Sequence, residues 1–80
     1  MYERSVFMEK IQIINRLQEW RKKQGLTQRK LSEITGIPIS TIQKVEIGDR
    51  DISRLGAKML LLLSRALGVS MEQLITKEEE

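Results

Sequence analysis

The side chains able to do chemistry in this chain are its cations, hydroxyls, amides and carboxylates, because its 80 residues include no His and no Cys. That absence removes disulfide scaffolds, Cys/His metal sites, thiol nucleophiles and every His-based catalytic arrangement. An enzyme is not expected, and no metal or organic cofactor is implied. What remains is charge and its placement. Residues 10–58 hold eleven basic side chains against five acidic ones, a balance of +6, while the two ends together carry −3. A basic middle fits a surface facing phosphates, since Lys and Arg that neutralise backbone charges supply most non-specific nucleic-acid affinity. The same composition also suits ordinary solubilising charge, so pattern has to decide.

The elements that must position these groups are helical. There is one Pro, at position 38, and no stretch alternates apolar and polar residues for a strand's length. Five helices are expected within one small all-α domain. The first runs from residue 5 or 9 to 24, with apolar positions at three- and four-residue spacing, and stops at Gly25. Thr27 caps a second, short helix that ends before Gly36, its hydroxyl taking a free N–H of the first turn. A third covers residues 39–47, with Ile42 and Val45 inward and Gly48 at its end. A fourth covers residues 55–67, and Gly68 stops it. Ser70 and Gln73 form a capping box that opens a fifth helix at Met71. Residues 1–9 read as an N-terminal extension or helix start, and residues 77–80 as a disordered acidic tail.

Helices this short need a shared core. The expected core is Ile14, Leu17, Trp20, Leu26, Leu31, Ile34, Ile37, Ile42, Val45, Ile52, Leu60, Leu63, Leu67, Val69 and Leu74. The longest apolar run, residues 59–63, is five residues, where a membrane span needs about 20. No signal-peptide pattern opens the chain, so a cytoplasmic location is expected.

The informative segment is residues 25–48, GLTQRKLSEITGIPISTIQKVEIG, in which two short helices flank a tight turn containing Gly36. Together with Arg21, Gly25-Leu26-Thr27-Gln28, Leu31, Gly36-Ile37, Ser40-Thr41-Ile42, Glu46, Gly48, Ala66-Leu67-Gly68-Val69-Ser70 and Leu74, it resembles the Xre family, the helix-turn-helix domains of phage Cro and lambda-repressor type. The resemblance spans residues 11–75. It implies a compact five-helix fold whose third helix enters the DNA major groove while the second crosses the backbone.

Carried over position by position, the resemblance makes Ile39, Ser40, Gln43 and Lys44 the base readers. It makes Gln28, Arg29 and Thr41 the phosphate contacts, and Arg21 with Glu46 a structural salt bridge. Arg21-Lys22-Lys23 otherwise reads as the basic last turn of a helix, and Trp20 as a core residue. Two positions depart from the family pattern. Pro38 stands where Ser or Thr commonly caps the reading helix, and Ile39 stands where a polar reader is common; an isoleucine there offers contact to a thymine methyl group.

On the fourth helix Leu60, Leu63 and Leu67 form the inward stripe, which leaves Met59, Leu61 and Leu62 as candidates for a homodimer interface, joined by the patch Val6-Phe7-Met8. The expected function is a sequence-specific regulator of bacterial or phage type, a repressor binding a palindromic operator on double-stranded DNA as a dimer. The rival is a protein-interaction module on the same fold, an antitoxin or accessory regulator subunit working with a protein partner. Salt separates them, because phosphate contacts weaken steeply as salt rises.

Overall fold

Asn15 and Arg16 decide where the first helix begins. In a computed structural model that describes residues 12–77, the Asn15 side-chain oxygen accepts the Leu17 N–H at 3.0 Å. This satisfies a donor that has no partner within the helix. Helix α1 is therefore Leu17–Lys23, not the longer helix starting near residue 5 or 9 that the sequence suggested. Before it lies an extended pair, β1 at Gln12–Ile13. Residues 1–11 and 78–80 lie outside the described residues, and with them the Val6-Phe7-Met8 patch.

The α1 end closes with a reciprocal pair of backbone bonds. The Leu26 N–H donates to Arg21 O at 3.1 Å and the Gly25 N–H to Lys22 O at 3.0 Å, the six-to-one and five-to-two pattern that satisfies terminal carbonyls. Two residues on, the Thr27 hydroxyl accepts the Lys30 N–H at 3.0 Å and opens α2, Gln28–Thr35.

The turn after α2 is set by Gly36, whose φ of +79° lies in the left-handed region that glycine enters at little steric cost. Side chains stitch it. Thr35 Oγ1 donates to Leu31 O at 2.8 Å and accepts the Ile37 N–H at 3.1 Å, and Ser32 Oγ donates to Ile37 O at 2.6 Å. Helix α3, Ile39–Glu46, follows with Pro38 at its N-cap. Proline has no side chain to cap the helix, but its carbonyl accepts the N–H groups of Thr41 and Ile42 at 3.0 and 3.2 Å.

Asp51 then caps a 3-10 turn, Ile52–Arg54, accepting from the Ser53 N–H and hydroxyl; these bonds, the hydroxyl's first, hold its carboxyl below the usual range. Helix α4 is Ala57–Leu67. It cannot start at Leu55, as the periodicity suggested, because Gly56 has φ +92°, outside helical geometry. Leu55 is instead carried by the turn into the core at 7% exposure.

The Ser70 capping box is present in full. It opens α5, Met71–Ile75. The chain then extends through β2, Thr76–Lys77, which pairs antiparallel with β1: Gln12 opposite Lys77 and Ile13 opposite Thr76. Lys77 is thus backbone-paired rather than the first residue of a free tail. Further bonds from Ile14 N–H to Ile75 O and from Arg16 N–H to Leu74 O lock α1 against α5.

Leu17, Leu31, Ile37, Ile42, Val45, Ile52, Leu55, Leu60, Leu63, Leu67 and Leu74 form the buried core, with Trp20, Leu26 and Val69 packed partly buried against it. Ile34 is a correction. It is 51% exposed, because the short α2 has one inward line, which Leu31 fills, and Ile34 falls to its side. Among the described residues the outcome is an all-α architecture of five α-helices whose ends are tied by a two-residue ribbon.

Candidate nucleic-acid interface

The helix-turn-helix is held from behind by a buried charge cluster. Arg21 on α1 reaches Glu46 at the end of α3 with Nε on Oε2 at 2.7 Å and Nη2 on Oε1 at 3.0 Å. Gln28, the first residue of α2, donates its side-chain amide to the same Oε1 at 3.0 Å. The remaining Arg21 Nη1 donates to Leu26 O at 2.8 Å. The Glu46 side chain is 1% exposed and that of Arg21 10%. These hydrogen bonds to Glu46 raise the Arg21 pKa above its ordinary value, against the opposing effect of burial.

Four pieces of chain meet at this ion pair: α1, its connection to α2 through the Arg21 guanidinium, the start of α2 through the Glu46 carboxylate, and the end of α3. A buried ion pair is weak evidence of net stability, but removing one partner leaves an uncompensated charge. Its structural effect is to fix the angle between the two helices that a groove would meet. From the other side, the Asn15 amide donates to Val45 O, giving a second tie to the same end of α3.

With Ile42 and Val45 buried, the opposite face of α3 points outward. Ser40, Gln43 and Lys44 are exposed on it, and Ile39 and Thr41 are half-buried at its start. Arg29 is exposed on α2 beside the half-buried Gln28. One of the seven proposed DNA contacts therefore has a second duty: Gln28 already spends a donor on Glu46. Neither this tie, nor the Ser32 and Thr35 stitches, nor the Asn15 bond is legible in residue spacing. Each joins positions that are far apart in sequence or unmarked by any periodicity.

A second charged group lies away from α3. Trp20 sits between Arg16 and Lys23, whose cationic groups lie 5.0 and 4.7 Å from its ring centroid. Its Nε1 donates to Gln73 O at 2.9 Å. Glu19 joins both cations, at 2.7 Å from Arg16 and 3.4 Å from Lys23. The Arg16 hydrogen bonds, and then the nearby positive charges, hold the Glu19 carboxyl down to about 2. Trp20 is thus engaged on α1 and α5, with its indole N–H already taken.

On α4, Leu61 is 45% exposed, while Met59 and Leu62 are half-buried. Met59 and Leu62 line a groove of about 440 Å³ together with Lys58, Ile37, Pro38 and the Thr35–Gly36 turn. Among the described residues no group of His, Cys, Asp or Glu is placed to hold a metal ion, and no helix is long and apolar enough to cross a membrane.

The family model for helix-turn-helix domains of Cro/C1 type matches residues 17–74, from the first residue of α1 to Leu74 in α5. The chain belongs to that family. No curated protein and no solved structure matches it. The family is one of DNA-binding transcription regulators and is not typically enzymatic. The Cro/C1-type fold and the Xre resemblance read over residues 11–75 therefore stand.

Proposed function

We propose that this helix-turn-helix protein is a repressor that inserts α3 into the major groove of a palindromic operator as a homodimer. The observation that carries this reading is the two-sidedness of α3: its inner face and C-terminal end are pinned by Glu46, Val45 and Ile42, while Ser40, Gln43 and Lys44 are free on the outer face. The groove is where each base pair has a distinct donor and acceptor pattern. Gln43 suits the donor and acceptor pair of an adenine edge, Lys44 the acceptors of guanine, and Ile39 a thymine methyl. Ser40 adapts to either kind of partner.

Arg29, Thr41 and the second N–H of the Gln28 amide or its backbone N–H at the α2 start would orient the protein on the phosphates. The tie to Glu46 keeps Gln28 in one place for that task. Dimerisation through Met59, Leu61 and Leu62 would set two copies of α3 about one helical turn of DNA apart, doubling the bases read.

Selection from a random duplex library at about 0.15 M salt tests the reading, with phosphate contacts expected to make affinity fall steeply with salt. Recovery of an inverted repeat supports it. Recovery of nothing above background contradicts it and favours the protein-interaction alternative, and a 9.3 kDa species alone in sedimentation at tens of micromolar contradicts the dimer.

A further inference from the structure

The outer face of α3 continues into a residue left largely exposed by the described residues. Ile47 is 71% exposed, against 51% for Ile34 and 45% for Leu61. It is the C-cap of α3, with φ −88° and ψ 0°, and its N–H donates to Gln43 O at 3.1 Å. It therefore continues the helical path. Four residues after Gln43 and seven after Ser40, it shares their side of the helix, opposite Ile42 and Val45. The outward face thus carries an isoleucine at each end, Ile39 and Ile47, with Ser40, Gln43 and Lys44 between.

The surroundings of Ile47 are polar and of mixed charge: Lys44 and Arg50 with Asp49 and Asp51, all exposed. Lys44 lies three residues before it, and the loop after α3 folds back so that the Arg50 N–H donates to Lys44 O at 3.1 Å. An apolar side chain exposed on the same face as the polar Ser40, Gln43 and Lys44 suits a partner that offers a small apolar group beside hydrogen-bonding edges. In the major groove that group is the 5-methyl of thymine.

We propose that Ile47 is a specificity-determining residue that seats on the 5-methyl group of a thymine beyond the base that Gln43 reads. This rests on the major-groove reading above. Four residues of helix advance about 6 Å, close to two base steps of about 3.4 Å. Operators are then enriched in thymine at a fixed offset of about two from the Gln43 base, a preference that no hydrogen-bonding side chain accounts for.

The test compares binding of a selected duplex with copies in which each thymine in turn is replaced by uracil, which lacks only the methyl group. Wild type is expected to bind about fourfold more weakly at one such position, the effect of withdrawing about one buried methyl. Ile47→Ala is expected to bind the parent duplex about tenfold more weakly, to lose that one uracil sensitivity and to melt as wild type does, since the side chain is exposed. Ile39→Ala should keep it. If Ile47→Ala retains the full uracil profile, or if no thymine matters, the assignment is overturned while the major-groove reading stands. If no duplex is selected at all, both fall together.

Discussion

Two Arg–Glu pairs, one at the N-cap of α1 and one from α1 to α3, look alike in composition and differ in consequence. Arg16 grips Glu19 at 2.7 Å on the surface, with side chains 24% and 42% exposed. Arg21 grips Glu46 at the same 2.7 Å, with side chains 10% and 1% exposed. The first pair spans one turn of a single helix. The second joins helices 25 residues apart and recruits Gln28 as a third donor. Distance alone therefore says little; burial and what the pair connects decide its worth. The outer cluster dresses a surface, whereas the inner one sets the geometry of the helix-turn-helix.

The largest effect expected from that comparison is at Glu46. Glu46→Ala leaves the Arg21 guanidinium buried without its partner and should cost about 3–5 kcal/mol. At about 4–8 °C of melting temperature per kcal/mol for a domain of this size, thermal melting reads it directly. A wild-type midpoint for Glu46→Ala, or for Arg21→Ala, breaks the contrast. Next comes the outer face of α3. Gln43→Ala with Lys44→Ala should melt as wild type but bind a selected duplex about 10–100-fold more weakly, the range of one good base contact.

Gln28→Ala is the intermediate case, because it removes one hydrogen bond to a charged group and leaves the ion pair intact. About 1.5–3 kcal/mol is expected by chemical denaturation, and an effect as large as that of Glu46→Ala would mean that Gln28, not Arg21, holds the carboxylate. The smallest effect belongs to Glu19. Because its folded pKa lies below the ordinary 4.5, at about 2, its contribution is present above pH 4.5 and is lost as pH falls towards 2. Carbon-detected NMR titration should give a Glu19 midpoint near 2, moving upward in 1 M salt as the exposed charges are screened. A midpoint near 4.5 at low salt would show that the surface pair does not form.

What the sequence made legible is local. The Thr27 and Ser70 caps, the Gly36 turn and the inward Ile42 and Val45 each follow from residues within a turn or two of one another. The N-terminal ribbon was not legible, because Gln12 and Ile13 are spaced as well for a helix as for a strand. Their partners, Thr76 and Lys77, lie more than sixty residues away. Ile34 fell outside the core for a related reason: a helix of eight residues has too few turns for three-residue spacing to fix a face, while Leu55 entered it because Gly56, at φ +92°, keeps it out of α4. The site residues were placed by family pattern rather than by physics, so Ile47, which matches no motif, emerged only once its exposure was visible.

The central claim is that the outward face of α3 meets DNA while the Trp20 cluster on α1 does not. Titrating a labelled protein with a selected duplex and following backbone and side-chain NMR shifts tests it most directly. The strongest perturbations are expected at Ser40, Gln43, Lys44 and Ile47, with Arg29 and Gln28 next and Arg16, Glu19 and Trp20 unchanged. Perturbations centred on Trp20, or on Leu61 and Leu62 with α3 silent, would contradict it.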